Sequence, residues 1–144
     1  MGKNKGDSKN LRRFMMSNYS FSKKVDMSFD ETVEKMKAAL KKEGFGVLTE
    51  IDVKKTVKEK LDKDFNKYLI LGACNPNFAF EALKKETELG LLLPCNVIVY
   101  QNDEGDTIAA AIDASKALGI THNEQLEPIA DEVSDRLERV ISKL

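Results

Sequence analysis

The sequence predicts an α+β domain: a mainly antiparallel sheet of about five strands with helices packed on one face, in the order β-α-β-α-β-α-β-β-α. Three observations predict it. Short runs of period two alternate with longer runs of period 3.6. Two of the short runs, Val97–Tyr100 and Thr107–Ile112, flank turn residues Asn102–Asp106 with Gly105 between, which reads as a β-hairpin and brings antiparallel pairing. The length, 144 residues, allows one core but not two independent ones, and 42% hydrophobic with 33% charged residues is a globular balance.

Each element has its own justification. Tyr19, Phe21 and Val25 mark the first strand, with Lys23 and Lys24 pointing to an exposed face or edge. Ser28 and Glu31 form a capping box, and Phe29, Val33, Met36 and Leu40 follow as a helical stripe. Gly44 supplies the left-handed residue that ends this helix, which is expected over 29–43. Phe45, Val47, Thr49 and Ile51 alternate as a second strand. Asp52 can cap a charged helix over 53–62, with Val53, Val57 and Leu61 expected inward.

Tyr68–Leu71 is a short apolar run, a buried third strand ending at Gly72. Asn75 caps the next helix, and Pro76 takes its first position, where a missing N–H costs nothing. Ala79, Ala82 and Leu83 are expected to face the sheet, and Leu91–Leu93, between Gly90 and Pro94, to be covered. After the hairpin, Leu126, Ile129, Val133, Leu137, Val140 and Leu144 form the clearest stripe of the chain, with Glu132→Arg136 and Asp135→Arg139 in supportive order. Pro128 places the start of regular helix near Glu127.

The net charge of −1 hides a split. Residues 1–25 carry seven basic side chains, from Lys3 to Lys24, against Asp7 alone; the remainder is acidic. Residues 1–10 hold no aliphatic or aromatic side chain after Met1, too little apolar area to offset ordering entropy. We therefore expect a flexible basic arm over 1–17 and one globular domain over 18–144. The arm lacks the interleaved aromatics of a stacking platform, and the domain is acidic, so nucleic acid is a poor partner. No apolar run is long enough to span a membrane. The basic start has no apolar stretch behind it and is not a secretory signal, so the cytoplasm is the expected compartment.

Chemistry-bearing motifs are few. Nucleotide-binding glycine motifs and the G-x-S-x-G elbow are absent. One histidine, His122, excludes a histidine-rich metal site and reads as a capping or surface residue. Glu50 with Asp52 marks a solvated strand-to-helix corner, and Asp103, Glu104 and Asp106 are turn residues without the spacing of a calcium loop. Two cysteines, Cys74 and Cys95, are too few for a disulfide framework or a zinc-finger set.

The densest unusual chemistry is G-A-C-N-P at 72–76 and G-L-L-L-P-C-N at 90–96. With A-x-x-A-L at 79–83, L-L-L-P-C-N-V-I-V-Y at 91–100 and G-F-G-V-L-T-E-I-D-V-K at 44–54, these segments make the chain resemble the domain of unknown function 302 family, in its cysteine-containing branch, over about residues 18–143. The resemblance implies a small α+β domain with helices on an antiparallel sheet, associating as a homodimer, and no established activity. It also implies a thiol or metal site at Cys74 and Cys95 that the fold itself does not require.

Read physically, Cys74 stands just before a helix start, where the dipole and free N–H groups would favour a thiolate and lower its pKa, or receive an anionic ligand group. If the 90–94 link runs back along the helix, Cys95 arrives at the same end of the sheet. Asn75, Asn96, Asp113 and His122 are the available helpers for a metal; no metal or cofactor is assigned. Both cysteines could equally be small buried apolar residues. The leading expectation is a binding domain, not a recognisable enzyme, holding a small ligand near Gly72, Cys74, Asn75, Cys95 and Asn96. The alternatives are an enzyme or redox or metal-site protein using Cys74 and Cys95, and a purely structural interaction module.

Overall fold

Helical stripes and short strand-forming runs settle into a two-layer arrangement in the computed structural model, which describes residues 17–144. In chain order the elements are β1 (Ser20–Val25), α1 (Phe29–Lys42), β2 (Gly46–Asp52), α2 (Val53–Leu61), β3 (Tyr68–Cys74), α3 (Pro76–Lys85), β4 (Cys95–Gln101), β5 (Thr107–Ile112), α4 (Ala114–Gly119) and α5 (Glu127–Ser142). Short 3-10 helices at Thr87–Leu92 and Glu124–Leu126 lead into β4 and α5. The strands form one sheet in the order β1-β5-β4-β3-β2, and every neighbouring pair is antiparallel. The basic arm expected over 1–17 lies, but for Ser17, outside the described residues.

The expected capping chemistry forms. The Ser28 hydroxyl accepts from the Glu31 N–H at 3.1 Å, although the Glu31 carboxylate meets that same hydroxyl and not the Ser28 N–H. Gly44 has φ 87°, the left-handed conformation its position after α1 requires. Asp52 caps α2 and Asn75 caps α3. Asn102 organises the hairpin turn, its side-chain oxygen accepting from the Glu104 and Asp106 N–H groups.

Alternation then sorts the sheet residues. Leu69, Leu71, Ala73, Val97, Val99, Ala109 and Ala111 face the helices and meet Met36, Leu40, Leu137, Val140 and Ile141 of α1 and α5 in the main core. Each such side chain, taken fully out of water, contributes roughly 1.5–3 kcal/mol. Among the described residues no helix packs on the opposite face, although Ser22, Ile108 and Ala110 on it are buried. Its middle row reads Ser22, Ala110, Ile98, Ile70 and Ile51 from β1 to β2. The row on one side reads Lys24, Ile108, Tyr100 and Tyr68, and the row on the other Ser20, Ile112, Asn96, Gly72 and Thr49.

Three expectations on packing are corrected. α2 buries no residue: Val53 and Val57 are half-covered and Leu61 is exposed. Its apolar stripe finds only the margin of the sheet to lean on. α3 turns Ala82 away from the sheet and into a second cluster with Leu89, Leu118, Leu126 and Ala130, leaving Leu83 exposed. In the link before β4 the buried residue is Leu89, at 1% exposure, while Leu91 is 83% exposed. The chain also contains α4, absent from the predicted order, started by Asp113, whose carboxylate accepts from the Ser115 N–H at 3.1 Å.

Candidate functional site

The 3-10 segment and the Leu93–Pro94 link carry the chain back from α3, so Cys95 opens β4 beside the end of β3. Ala73 pairs with Cys95, and Cys74, the next residue, lies opposite Gly46. Both thiols therefore stand at one end of the sheet, as the returning link requires, and both are free.

They line one cavity of about 40 Å³, at the seam between the main core and the second cluster. At roughly 10–15 Å³ per water-sized sphere, this admits a few atoms. Cys74 and Asn75 contribute from the start of α3, Pro94 and Cys95 from the start of β4, Phe45 from the entry to β2, and Leu118 from α4. The walls are almost wholly apolar carbon and sulfur.

Small residues make this geometry possible. A Cβ on Gly72 would collide with the Thr49 hydroxyl and stand 2.7 Å from the Pro94 ring. A Cβ on Gly44 would stand 2.9 Å from the Asn75 amide nitrogen. The other end of that amide accepts from the Phe78 N–H at 3.2 Å, so Asn75 is wedged between the end of α1 and the start of α3. Arg136 closes the outer side: its guanidinium lies 5.0 Å from the Phe78 ring centre and donates to the Glu43 carbonyl at 2.9 Å.

The electrostatics overturn one expectation. Burial raises the Cys74 pKa, and it pushes Cys95 up to about 11, with the neighbouring Cys74 adding to the effect. The helix start does not win against desolvation: Pro76 supplies no N–H, and Asn75 already occupies that of Phe78. Both thiols are neutral at pH 7. A neutral thiol is a poor nucleophile and a poor anion mimic.

Of the other residues singled out from the sequence, Asn75 belongs to the cavity and Gly72 shapes its approach, while Asn96 is exposed on the open sheet face. Asp113 accepts from the Ser134 hydroxyl at 2.8 Å and caps α4. His122 is exposed, with φ 55°, on the turn after α4. Among the described residues no three of His, Cys, Asp and Glu cluster as metal ligands would. Reading by sequence missed Phe45, Phe78, Leu118 and Val133 as cavity walls. The signal for Leu118 was present: Asp113 before Ala-Ser-Lys is a helix-start pattern.

The architecture defines a class: small α+β domains whose antiparallel sheet carries helices on one face and a seam cavity at the end of the central strands. Over residues 21–144 the chain matches the family described as a domain of unknown function, DUF302, and it belongs to that family. It is similar to the solved structure of an uncharacterized conserved DUF302 protein from Bacillus stearothermophilus, with 30% identity, a TM-score of 0.82, and coverage of 88% of this chain and 98% of that one. No curated protein matches the chain.

Proposed function

We propose that this protein is a cytoplasmic binding module that works as a homodimer and holds a compact, uncharged ligand at the start of α3, against Cys74, Asn75 and Cys95. The observation that carries the reading is the seam cavity, where those three residues meet apolar walls. Its size limits the ligand to a few atoms, and its lack of charge favours a neutral one. Two free thiols fit a reducing compartment. Among the described residues no helix is long and apolar enough to cross a membrane. The homodimer is the assembly that the resemblance to this family implies.

The second reading, a thiol-dependent enzyme, is disfavoured by the neutral state of both cysteines. One experiment addresses both readings. Cys95→Leu fills the cavity without adding charge. The wild type is expected to gain thermal stability with small uncharged probes such as acetamide or ethanethiol, and Cys95→Leu to lose that gain. If none of these probes stabilises the wild type, the ligand reading fails. Iodoacetamide labelling provides the other arm: Cys74 is expected to react more slowly than free cysteine at pH 7, with a steep rise above pH 9. Faster labelling at pH 7 would revive the enzyme.

A further inference from the structure

On the sheet face opposite the helices, burial is uneven. Ser22, Ile108 and Ala110 are 2%, 1% and 5% exposed, as closed to water as the main core, whereas Ile51 on the far edge strand is 47% exposed. Ser22 pairs with Ala110 across β1 and β5, and Ile108 stands two residues along β5, so the three adjoin. Among the described residues no helix and no second sheet lies over them. A solvated face of an antiparallel sheet turns polar side chains outward. In a chain with 33% charged residues, the three rows of this face hold one charged side chain, Lys24. The face is built to be covered, and the covered part lies over β1 and β5.

The chain itself comes onto this part. Asn18 and Tyr19 make a turn ahead of β1. Two donors pin it: Lys116 donates to the Asn18 carbonyl, and the Asp113 N–H donates to the Tyr19 carbonyl at 2.8 Å. The turn sets Ser17 back beside β1. Its hydroxyl lies 3.0 Å from that of Ser20, which lies 3.4 Å from that of Ser22. Ser20 and Ser22 belong to the open face, so Ser17 stands at its margin. There it lines a hollow of about 450 Å³ that Tyr19, Tyr68 and Tyr100 also rim. The chain ahead of Ser17 starts from that rim.

The six residues ahead of Ser17 suit the place. Leu11, Phe14, Met15 and Met16 are apolar, while residues 2–10 hold no aliphatic or aromatic side chain. At about 3.3 Å per residue, this segment can reach up to roughly 20 Å, about four strand spacings of 4.8 Å. A phenylalanine ring and two thioethers match a hollow rimmed by tyrosines. A segment joined to the face it covers has only its own ordering to overcome, with no second molecule to immobilise.

We propose that the segment Leu11–Met16 lies across the open face of its own sheet and covers Ser22, Ile108 and Ala110. The basic arm then ends near Asn10 instead of Ser17, and Arg12 and Arg13 reach water from the edges of the strap. The strap is separate from the ligand site at Cys74 and Cys95, and neither reading needs the other.

The test uses the full 144-residue chain, whose own trypsin sites bracket the junction. Cleavage after Lys3, Lys5 and Lys9 is expected to be fast. Cleavage after Arg12 and Arg13 is expected to be at least about tenfold slower, because the strap must lift before it is cut. With no tryptophan, the emission of the protein comes from the three tyrosines that rim the hollow. Two variants, Phe14→Asp and the milder Met15→Ser, are checked for folding by circular dichroism. In both, the cuts after Arg12 and Arg13 are expected to become as fast as that after Lys9. Acrylamide is expected to quench their tyrosines about twofold more strongly than those of the wild type. Lys3→Asp combined with Lys5→Asp is expected to alter neither the Arg12 and Arg13 cuts nor the quenching.

Wild-type cleavage after Arg12 and Arg13 as fast as after Lys9, or folded variants quenched like the wild type, would overturn the strap. Shielding that fades as the protein is diluted would overturn it as well, because the cover would then belong to a second chain.

Discussion

At Gly72 the absence of a side chain is a packing requirement. The Thr49 hydroxyl on one side and the Pro94 ring on the other occupy the space a methyl group would need. Thr49 is in a strand and Pro94 is fixed between Leu93 and the start of β4, so neither can swing away as a long side chain would. Gly72→Ala is expected to destabilise the fold by about 1–3 kcal/mol, read as a lower urea midpoint with an unchanged slope. A midpoint within error of wild type would mean that the two strands separate freely. The glycine was visible in the sequence, but its reason was not. It depends on the β2–β3 register, which joins residues twenty-odd positions apart. The direction of the cysteine pKa shifts was hidden for the same reason. The helix start that favours a thiolate is local, while the burial that opposes it belongs to a cavity whose other walls, Phe45, Pro94 and Leu118 among them, are gathered from across the chain.

Among the elements, those with two-sided instructions were the legible ones. α1 carries a cap, a stop residue and an apolar stripe, α5 carries a helix-starting proline and an apolar stripe, and most of each stripe is buried. α2 has a cap and a stripe but no surface above it, because β2 is the edge strand and every residue of β2 is exposed. Propensity cannot reveal whether another element will lie opposite. The same reasoning separates two leucines that look equivalent in the sequence. Leu89→Ala should cost about 2–5 kcal/mol, because it empties the second cluster beneath α4, whereas Leu91→Ala should stay within about 0.5 kcal/mol of wild type. Equal effects in thermal denaturation would contradict the cluster. Asn75→Ala removes the cap of α3 and is expected to cost roughly 0.5–2 kcal/mol. Asn75→Asp, which keeps the accepting oxygen, should recover most of that loss; if both variants behave alike, the capping oxygen is not what holds the helix start.

Across the whole molecule, Glu43 at the end of α1 ties the two long helices together. Its carboxylate accepts from Arg139 at 3.0 Å and meets Lys143 at 3.5 Å, and the hydrogen bond from Arg139 above all holds its pKa below the ordinary value. The spacing along α5 pairs Arg139 with Asp135; in the structure Arg139 turns to the other helix, a choice made by α1–α5 packing. A lowered carboxyl pKa stabilises the fold above the unfolded value of 4.5, and this contribution fades as pH falls through the folded value. Burial works in the opposite sense at the alkaline end. Cys74, Cys95, Tyr68 and Tyr100 are all raised, so stability should fall as pH climbs from 9.0, the ordinary thiol value, through about 11, the value of Cys95. Denaturant midpoints across pH test both limbs. Glu43→Gln should flatten the acid limb and leave the alkaline one; an unaltered acid limb would remove Glu43 from the account.

The strand order has a kinetic consequence. β2, β3, β4 and β5 lie side by side in the order in which the chain makes them, β2 and β3 joined through α2, β3 and β4 through α3 and a 3-10 helix, and β4 and β5 by a tight turn. β1 instead completes the sheet by pairing with β5, with Ser20 opposite Ile112, across most of the chain. Closing so long a loop is entropically the costliest contact in the fold, and β1 pairs along one edge only, with Phe21 and Val25 against the core and Lys23 bonded to the end of α5. The meander can therefore assemble first and stay assembled longest, while β1 is the last strand laid down and the first to unzip, and its amides should lose hydrogen-exchange protection before those of β3 and β4.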